Sequence, residues 1–592
     1  MVKYSNYPHL QLEIFYKRGT VLKKLLLILI CTTLLLSACG KAEPQDKTFR
    51  WVSAFKETTI NPHDSAAMGN YEVVDLIQVS LYRWAPAESR DKIYLTPALA
   101  EGEPTSTDGR TWIIKVNKNA KWQNGEAITA ETFIYSWRMG LDPNLYYAHA
   151  SKLANETVEV EGAYAYYNQL NDGAAIEWDT VGLKVIDSHT LEIRTTQVYT
   201  AQDVMRHFST RMTGPVFEAL YEAGMNAGRT ATDYGSELDR FMGCGPFKLT
   251  AWVKGSSRVF AKNEHFIAQG TVKLSGIDCR VVTDSGTRLQ LFEAGESDYV
   301  ALEGAAVEKY IEHPQLVSYD QKTVRTLEVN RLNPGHPVLG DTGLRHALYL
   351  AIDRAALAGL TYTTAAPYFI STLAYSFPDG TAYRQMEAAN AWLPSNAGYQ
   401  PELAKTLFEE ALARHGLERL DLTMVYPGDD ADSLKVLSEY LQSALPSVLG
   451  ADKLSIQLQS MPKQAANDLM RKGDQATWDL CWSGYNLSAE TFEPHKKFAP
   501  YVTGDSRNWT AYDNAYLNTK YGDLLTETYR LDPQATFELT VEIEKSIILD
   551  DVTCIPVVQE RSYVLYDSRV KLALNTNIPP LGFGWEYMDI TE

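Results

Sequence analysis

The sequence predicts an α/β fold assembled from segments that cross between lobes more than once. Two observations carry this reading. Strand-like and helix-like patterns alternate along the chain from about residue 50 onward. No internal repeat, low-complexity tract or obvious linker divides it. The chain has 592 residues, 45% apolar and 22% charged, which is globular composition. Roughly three or four domains' worth of chain without linkers points to domains that interleave.

The individual elements follow from local pattern. Thr111 to Val116 alternates and is β-branched, so it reads as a strand, entered through the tight turn Asp108-Gly109. Thr190–Arg194 reads as a second strand behind Asp187-Ser188. Gly245–Val253 and Arg258–Lys262 flank Lys254–Ser257, the composition and spacing of a hairpin. A helix is expected over Ala130–Leu141, with Thr129 as N-cap and a stop before Asp142-Pro143. Leu344, Leu348, Ile352 and Ala355 recur near a 3.6-residue period, which predicts one helix over 342–358. Pro401 to Arg414 has proline in its first turn and Gly416 just past its end. Val541–Leu549 is read as a further helix.

The N-terminal region is an address. Lys17, Arg18, Lys23 and Lys24 precede an apolar run from Leu25 to Leu36. Twelve helical residues rise about 18 Å, short of a hydrocarbon core of about 30 Å. A basic flank, a short apolar run and small residues after it make a secretory signal over residues 1–38. Val21-Leu-Lys-Lys opens an ordinary signal, which places the expected translation start at Val21. Leu36-Ser-Ala-Cys39 looks like the bacterial lipobox, in which the Cys39 thiol receives a diacylglyceryl group. Two acyl chains hold a protein on a bilayer where one is marginal. Residues 39–47 are polar and aperiodic, as a tether would be.

Charge and motif content exclude other classes. The formal net charge is −19, and residues 1–38 hold five bases against one acid, so the rest carries −23. Such a body disfavours nucleic acid as a partner. Cys244, Cys279, Cys481 and Cys554 are scattered without metal-ligand spacing. Export permits disulfides among them, and four buried thiols are the alternative. Asp429, Asp430 and Asp432 lack the pattern of a calcium loop and read as a solvated turn into a helix at Leu434. No GxSxG, HExxH or SxxK stands in a suitable context, and the 11 histidines are dispersed. Neither an enzyme nor a cofactor or metal centre is expected.

One ordered set of motifs goes further. Pro97-Ala-Leu-Ala-Glu101 is followed by Asp108-Gly-Arg-Thr-Trp112, Lys121-Trp-Gln-Asn-Gly-Glu126, Thr129-Ala-Glu131, Phe133, Ser136-Trp-Arg138 and Leu141-Asp-Pro143. Asn61-Pro-His63, Gly243-Cys-Gly-Pro-Phe-Lys248, Asn263-Glu-His-Phe266, Phe292 to Asp298, Leu344-Arg-His-Ala347 and Ala351-Ile-Asp-Arg354 fall in matching order. In this the chain resembles the extracytoplasmic oligopeptide-binding proteins, the peptide/nickel class of solute receptors for ABC importers. The family usually has Asp where Thr132 stands.

The resemblance implies a two-lobed clamp of the class II (cluster C) binding proteins, with an inserted domain and a ligand cleft between lobes. It places lobe I at 48–89, 240–322 and 560–592, the inserted domain at 90–239 and lobe II at 323–559. It implies a monomer that hands an oligopeptide to a permease and its ATPase subunits, on the outer face of the cytoplasmic membrane or in a periplasm. Nickel chelates, haem or signalling peptides are the alternative ligands of the same fold.

The family's ammonium anchor is an Asp on the second lobe, in a stretch that resembles Trp478–Pro494 here. Aligning on Glu493-Pro494 puts Glu490 at that position, and aligning on Asp479 and Gly484 puts Ser488 there. Glu490 is the expected anchor, because a buried ammonium needs an opposite charge. Asn486 is expected beside it, and Trp482 and Tyr485 are candidates for the cleft wall with core packing as the alternative. Lys56, Glu57 and Thr58 are expected to meet the ligand from the first lobe, and Tyr146 and Tyr147 from the inserted domain.

Overall fold

The computed structural model describes residues 46–591, except 65–70, 174, 430–431, 473–475, 485, 487–491 and 511. Residues 1–47 separate from a single contiguous unit, Thr48–Glu592. The signal, Cys39 and most of the tether lie outside the described residues. Among the described residues, no helix is long and apolar enough to cross a membrane.

Three large cores organise the Thr48–Glu592 unit. The first lies on a four-stranded sheet in the order Thr48–Ser53, Gly276–Val281, Ser257–Lys262, Phe247–Val253. Its first pair is parallel, Trp51 facing Cys279, and the other pairs are antiparallel. Phe49, Trp51, Phe247, Phe260 and Ile277 fill this core together with Val564, Tyr566, Met588 and Ile590 from the end of the chain. Trp585 meets Trp51 edge-on at 4.8 Å. Asp298 closes the arrangement from below: its buried carboxylate accepts from the Arg50 backbone N–H at 2.7 Å and pairs with Arg569 at 2.6 Å.

A buried ion pair fixes the chain leaving this sheet. Arg258, 1% exposed, pairs through two nitrogens with the Glu57 carboxylate and donates to the Phe55 carbonyl at 2.6 Å. Removing one partner would strand the other charge in a dry site, at a cost of about 3–5 kcal/mol.

The second core belongs to residues between Leu81 and Cys244. A three-stranded antiparallel sheet, in the order Thr111–Lys115, Thr190–Arg194, Leu183–Asp187, packs against the helix Ala130–Gly140. Phe133 and Trp137 are the buried aromatics of that helix, and the Trp137 indole donates to the Thr213 carbonyl at 2.8 Å. Thr132, standing where the family has Asp, still caps: its hydroxyl oxygen accepts from the Thr129 N–H at 3.2 Å. The Asp108-Gly109 turn is enforced twice. Asp108 accepts from the N–H groups of Arg110 and Thr111 at 2.8 and 2.7 Å. Gly109 sits at φ +67, where a Cβ would lie 2.6 Å from Val198.

The third core gathers residues from Leu327 to Val558. Here Leu420–Pro427 runs parallel to both Leu454–Met461 and Leu480–Ser483. The expected helix over 342–358 is two helices, Thr342–Leu350 and Arg354–Thr361. Asp353 breaks the run because its carboxylate accepts from the Ala356 N–H and caps the second helix. The helix read at Val541–Leu549 starts earlier, at Pro533, capped by Asp532, and widens into a π turn at Ser546–Asp550. Cys244, Cys279, Cys481 and Cys554 are all buried free thiols, and burial pushes the Cys244 thiol up to about 12.

Three histidines are held neutral inside these cores. Burial lowers His63 to about 3, and His207 and His495 to about 4. The His207 tautomer is fixed: Nε2 donates to the Leu153 carbonyl at 3.1 Å and Nδ1 accepts from the Val158 N–H at 3.3 Å. On unfolding, each returns to about 6.5. The stability they contribute is therefore complete above pH 6.5 and is lost as pH falls toward their folded values. Urea unfolding should show stability dropping from pH 6.5 to 5, by up to about 4 kcal/mol per pH unit for three protons. His207→Gln should flatten that slope by roughly a third.

Candidate functional site

Two long antiparallel strands, Leu316–Val329 and Ile555–Tyr566, join the first core to the third. Val564 and Tyr566 lie in the first, and Leu327, Val329, Ile555 and Val557 in the third. Their register shifts between Asp320 and Val324, where the partner strand advances only from Arg561 to Gln559. The extra residues bulge out and free the ladder's polar groups.

Side chains satisfy that bulge. Asp320 accepts from the Thr364 and Thr372 hydroxyls at 2.7 and 3.0 Å. The buried Gln559 amide donates to the Gln321 carbonyl at 2.7 Å and to Thr372 at 2.9 Å, and its oxygen accepts from the Tyr368 hydroxyl at 3.0 Å. Arg325 and Glu560 form an ion pair beside it, 12% and 19% exposed.

The strand Leu480–Ser483 ends against this crossing. Asn486 donates to the Thr323 hydroxyl oxygen at 2.6 Å. A Cβ on Gly484 would lie 2.9 Å from the Thr323 methyl and 3.4 Å from Arg325. Thr323, Arg325, Glu560, Gly484 and Asn486 thus meet at the root of the two lobes. Thr323 is buried, Arg325 and Glu560 are largely buried and already paired with each other, and Asn486 is exposed, so the crossing offers polar groups without a free charge. Among the described residues, no group of three or more His, Cys, Asp or Glu could hold a metal ion.

Residues just past this point pack against distant parts of the chain. Phe492 stacks between Trp84, at 4.8 Å and 9°, and Tyr375, at 5.7 Å and 25°. Glu493 pairs with Lys496 at 3.0 Å and Arg206 at 3.8 Å. Burial opposes the Glu493 charge, and the two cations more than offset it, leaving its pKa below the usual carboxylate range. Lys496 also donates to the Glu156 carbonyl at 3.1 Å.

The residues expected from sequence divide. Tyr485 and Glu490 lie outside the described residues, as does Cys39. Asn486 is exposed at the crossing. Lys56 and Thr58 are exposed beyond the end of the first strand. Glu57 differs from expectation: its carboxylate is buried against Arg258, so it holds the segment from beneath. Trp482 takes the core-packing alternative. It is 1% exposed with its indole donating to Ser438 at 2.8 Å, a core residue rather than a cleft wall. Tyr147 is tied to the Tyr221 hydroxyl at 2.7 Å and to Asn61 at 3.4 Å, bridging two cores. Tyr146 is half exposed, stacked at 4.9 Å on Tyr167, and its hydroxyl accepts from Asn171 at 2.8 Å. The crossing residues Thr323, Arg325 and Glu560 were not anticipated. Their one sequence signal is an Arg and a Glu inside otherwise strand-forming runs.

The model of the bacterial extracellular solute-binding proteins, family 5, matches residues 94–509, more than half of the chain. The chain belongs to that family. This solute-binding protein is 25% identical to the dipeptide-binding protein DppE of Bacillus subtilis, over 80% of each chain. It is 26% identical to a dipeptide-binding protein of Lactococcus lactis, over 84% of this chain and 85% of that one. The fold is also that of solved two-lobed relatives. The substrate-binding domain of an oligopeptide ABC transporter from Bacillus anthracis superposes with a TM-score of 0.65 at 21% identity, covering 93% of this chain and 99% of that one. Listeria monocytogenes OppA bound to peptide gives 0.64 at 20% identity, covering 93% and 100%.

Gly484→Val in this solute-binding protein is expected to displace Thr323 and break its bond from Asn486. Calorimetry should show solute affinity at least about tenfold weaker, a change of about 1.4 kcal/mol. Thr323→Val, which removes the acceptor without a clash, should show a smaller loss.

Proposed function

We propose that the protein captures oligopeptides between its lobes and delivers them to the permease of an ABC importer. Support comes first from coverage: relatives named for dipeptides align over four-fifths or more of the chain. A glutathione-binding protein of Salmonella typhimurium aligns over 85% of it at 24% identity. The lobe boundaries we propose are 48–89, 240–322 and 560–592 for lobe I, 90–239 for the inserted domain and 323–559 for lobe II. They put both passages between lobes I and II inside the bulged pair of strands.

A carrier of many peptides reads what peptides share: the backbone, one ammonium and one carboxylate. Extended-strand hydrogen bonding supplies the first, and bridging water accommodates varied side chains. Lys56 and Thr58 would meet the ligand from lobe I and Asn486 from lobe II. With Glu493 committed to Lys496 and Arg206, Glu490 is the carboxylate we assign to the ligand ammonium. The lobes close by rotation about the crossing strands. Diacylglyceryl on Cys39 would hold the protein on the outer face of the cytoplasmic membrane, or on the periplasmic side in a two-membrane cell.

The test is to purify the protein natively and release what it carries into a mass spectrometer. Heterogeneous peptides of similar length are expected. N-acetylated peptides should bind at least about tenfold more weakly than free ones, and Glu490→Gln should abolish that difference. A nickel chelate or haem as the released molecule, or steady hydrolysis of a peptide, would overturn the proposal.

A further inference from the structure

A cavity of about 460 Å³ lies apart from the lobe crossing. It is walled by the loop after the strand Tyr82–Pro86, the turn before Gly276–Val281 and the C-terminal segment. Arg90, Lys273 and Lys571 face it with a single acid, Asp589. Lys571 stands directly opposite Asp589 in a two-residue antiparallel pairing, so one acid faces three cations. Arg90, held at φ +63, gives its guanidinium to the carbonyls of Leu572 at 2.7 Å and Ala573 at 3.4 Å. Lys571 reaches the Ser568 carbonyl at 3.3 Å. Lys273 is exposed.

Three cations against one acid in a single concavity are unexpected on a body carrying −23, in a chain of 74 acids against 55 bases. Convergent positive charge is the chemistry that recognises a phosphate. The space exceeds what a bare phosphate needs, and Leu572 and the Tyr587 ring give the remainder an apolar lining.

The position of the cavity identifies the source of the phosphate. Thr48 opens the first sheet opposite Gly276, and its hydroxyl lies 3.4 Å from that of Ser275. Lys273 is two residues from Ser275, within about 7 Å along an extended chain. The nine residues from Cys39 to Thr48 reach at most about 30 Å. A lipid on Cys39 would therefore keep this mouth close to the bilayer at high effective concentration. The acidic remainder is repelled by an anionic surface, so this mouth is the face that turns inward.

We infer that the cavity receives the phosphate headgroup of an anionic phospholipid and orients lobe I on the membrane. The inference rests on the proposed anchor at Cys39. The full lipidated chain is placed on vesicles of phosphatidylcholine with or without phosphatidylglycerol, and lysine acetylation is read by mass spectrometry. Phosphatidylglycerol should lower modification of Lys273 and Lys571 at least threefold, leave Lys435 unchanged, and lose its effect in 1 M salt. Equal modification on the two vesicles overturns the inference and leaves the anchor standing. Equal protection by glycerol 1-phosphate or inorganic phosphate on phosphatidylcholine alone makes the site a reader of free phosphate and overturns the lipid assignment. A chain that floats with neither vesicle refutes the anchor, and the headgroup with it.

Discussion

The crossing of Leu316–Val329 and Ile555–Tyr566 is the constraint on which the molecule depends. Two cores of different make-up share one pair of strands. A straight ladder would weld them into one rigid sheet. The bulge between Asp320 and Val324 interrupts the ladder at the place where the cores part. An interrupted ladder leaves buried polar groups, and an unpaired one costs about 1–3 kcal/mol. The Gln559 amide satisfies the Gln321 carbonyl with a side chain rather than backbone, and Asp320, Thr372 and Tyr368 link to it through further side-chain bonds. Side-chain bonds can re-form after a small rotation, where a ladder would have to break.

The same logic explains what surrounds the crossing. The Arg258–Glu57 pair and the Asp298 cluster make the first lobe stiff up to its edge. In the third core, buried Glu544 accepts from the N–H groups of Phe369 and Ile370 and pairs with Arg384, pinning the segment that carries Tyr368 and Thr372. Segments fixed by buried ion pairs thus flank the crossing on both sides. Phe492, stacked between Trp84 and Tyr375, gives the chain a further hold two residues past Glu490.

Much of the fold was legible in the sequence because turns and caps are local. Asp108-Gly109, Thr129, the 254–257 turn and Pro401 act within a few residues, and each formed what its chemistry dictates. The helix over 342–358 was misjudged because apolar period continues through Asp353, and only the carboxylate's bond to Ala356 reveals the break. The site was less legible. Glu57 and Trp482 sit at positions that a sequence pattern assigns to a cleft, yet Arg258 and Ser438, 201 and 44 residues away, claim them. The crossing residues depend on a register shift between strands some 240 residues apart, which no local pattern encodes.

The most direct test follows from the burial of all four body cysteines, which leaves them unreactive to labels. Thr250→Cys on the proposed first lobe and Lys435→Cys on the proposed second, both exposed positions, can then carry a donor and an acceptor dye. Single-molecule energy transfer between them is measured before and after saturation with a bound peptide. A hinge at the bulged strands predicts a shift to one shorter, narrower distance on binding. An unchanged distance at saturation would contradict it.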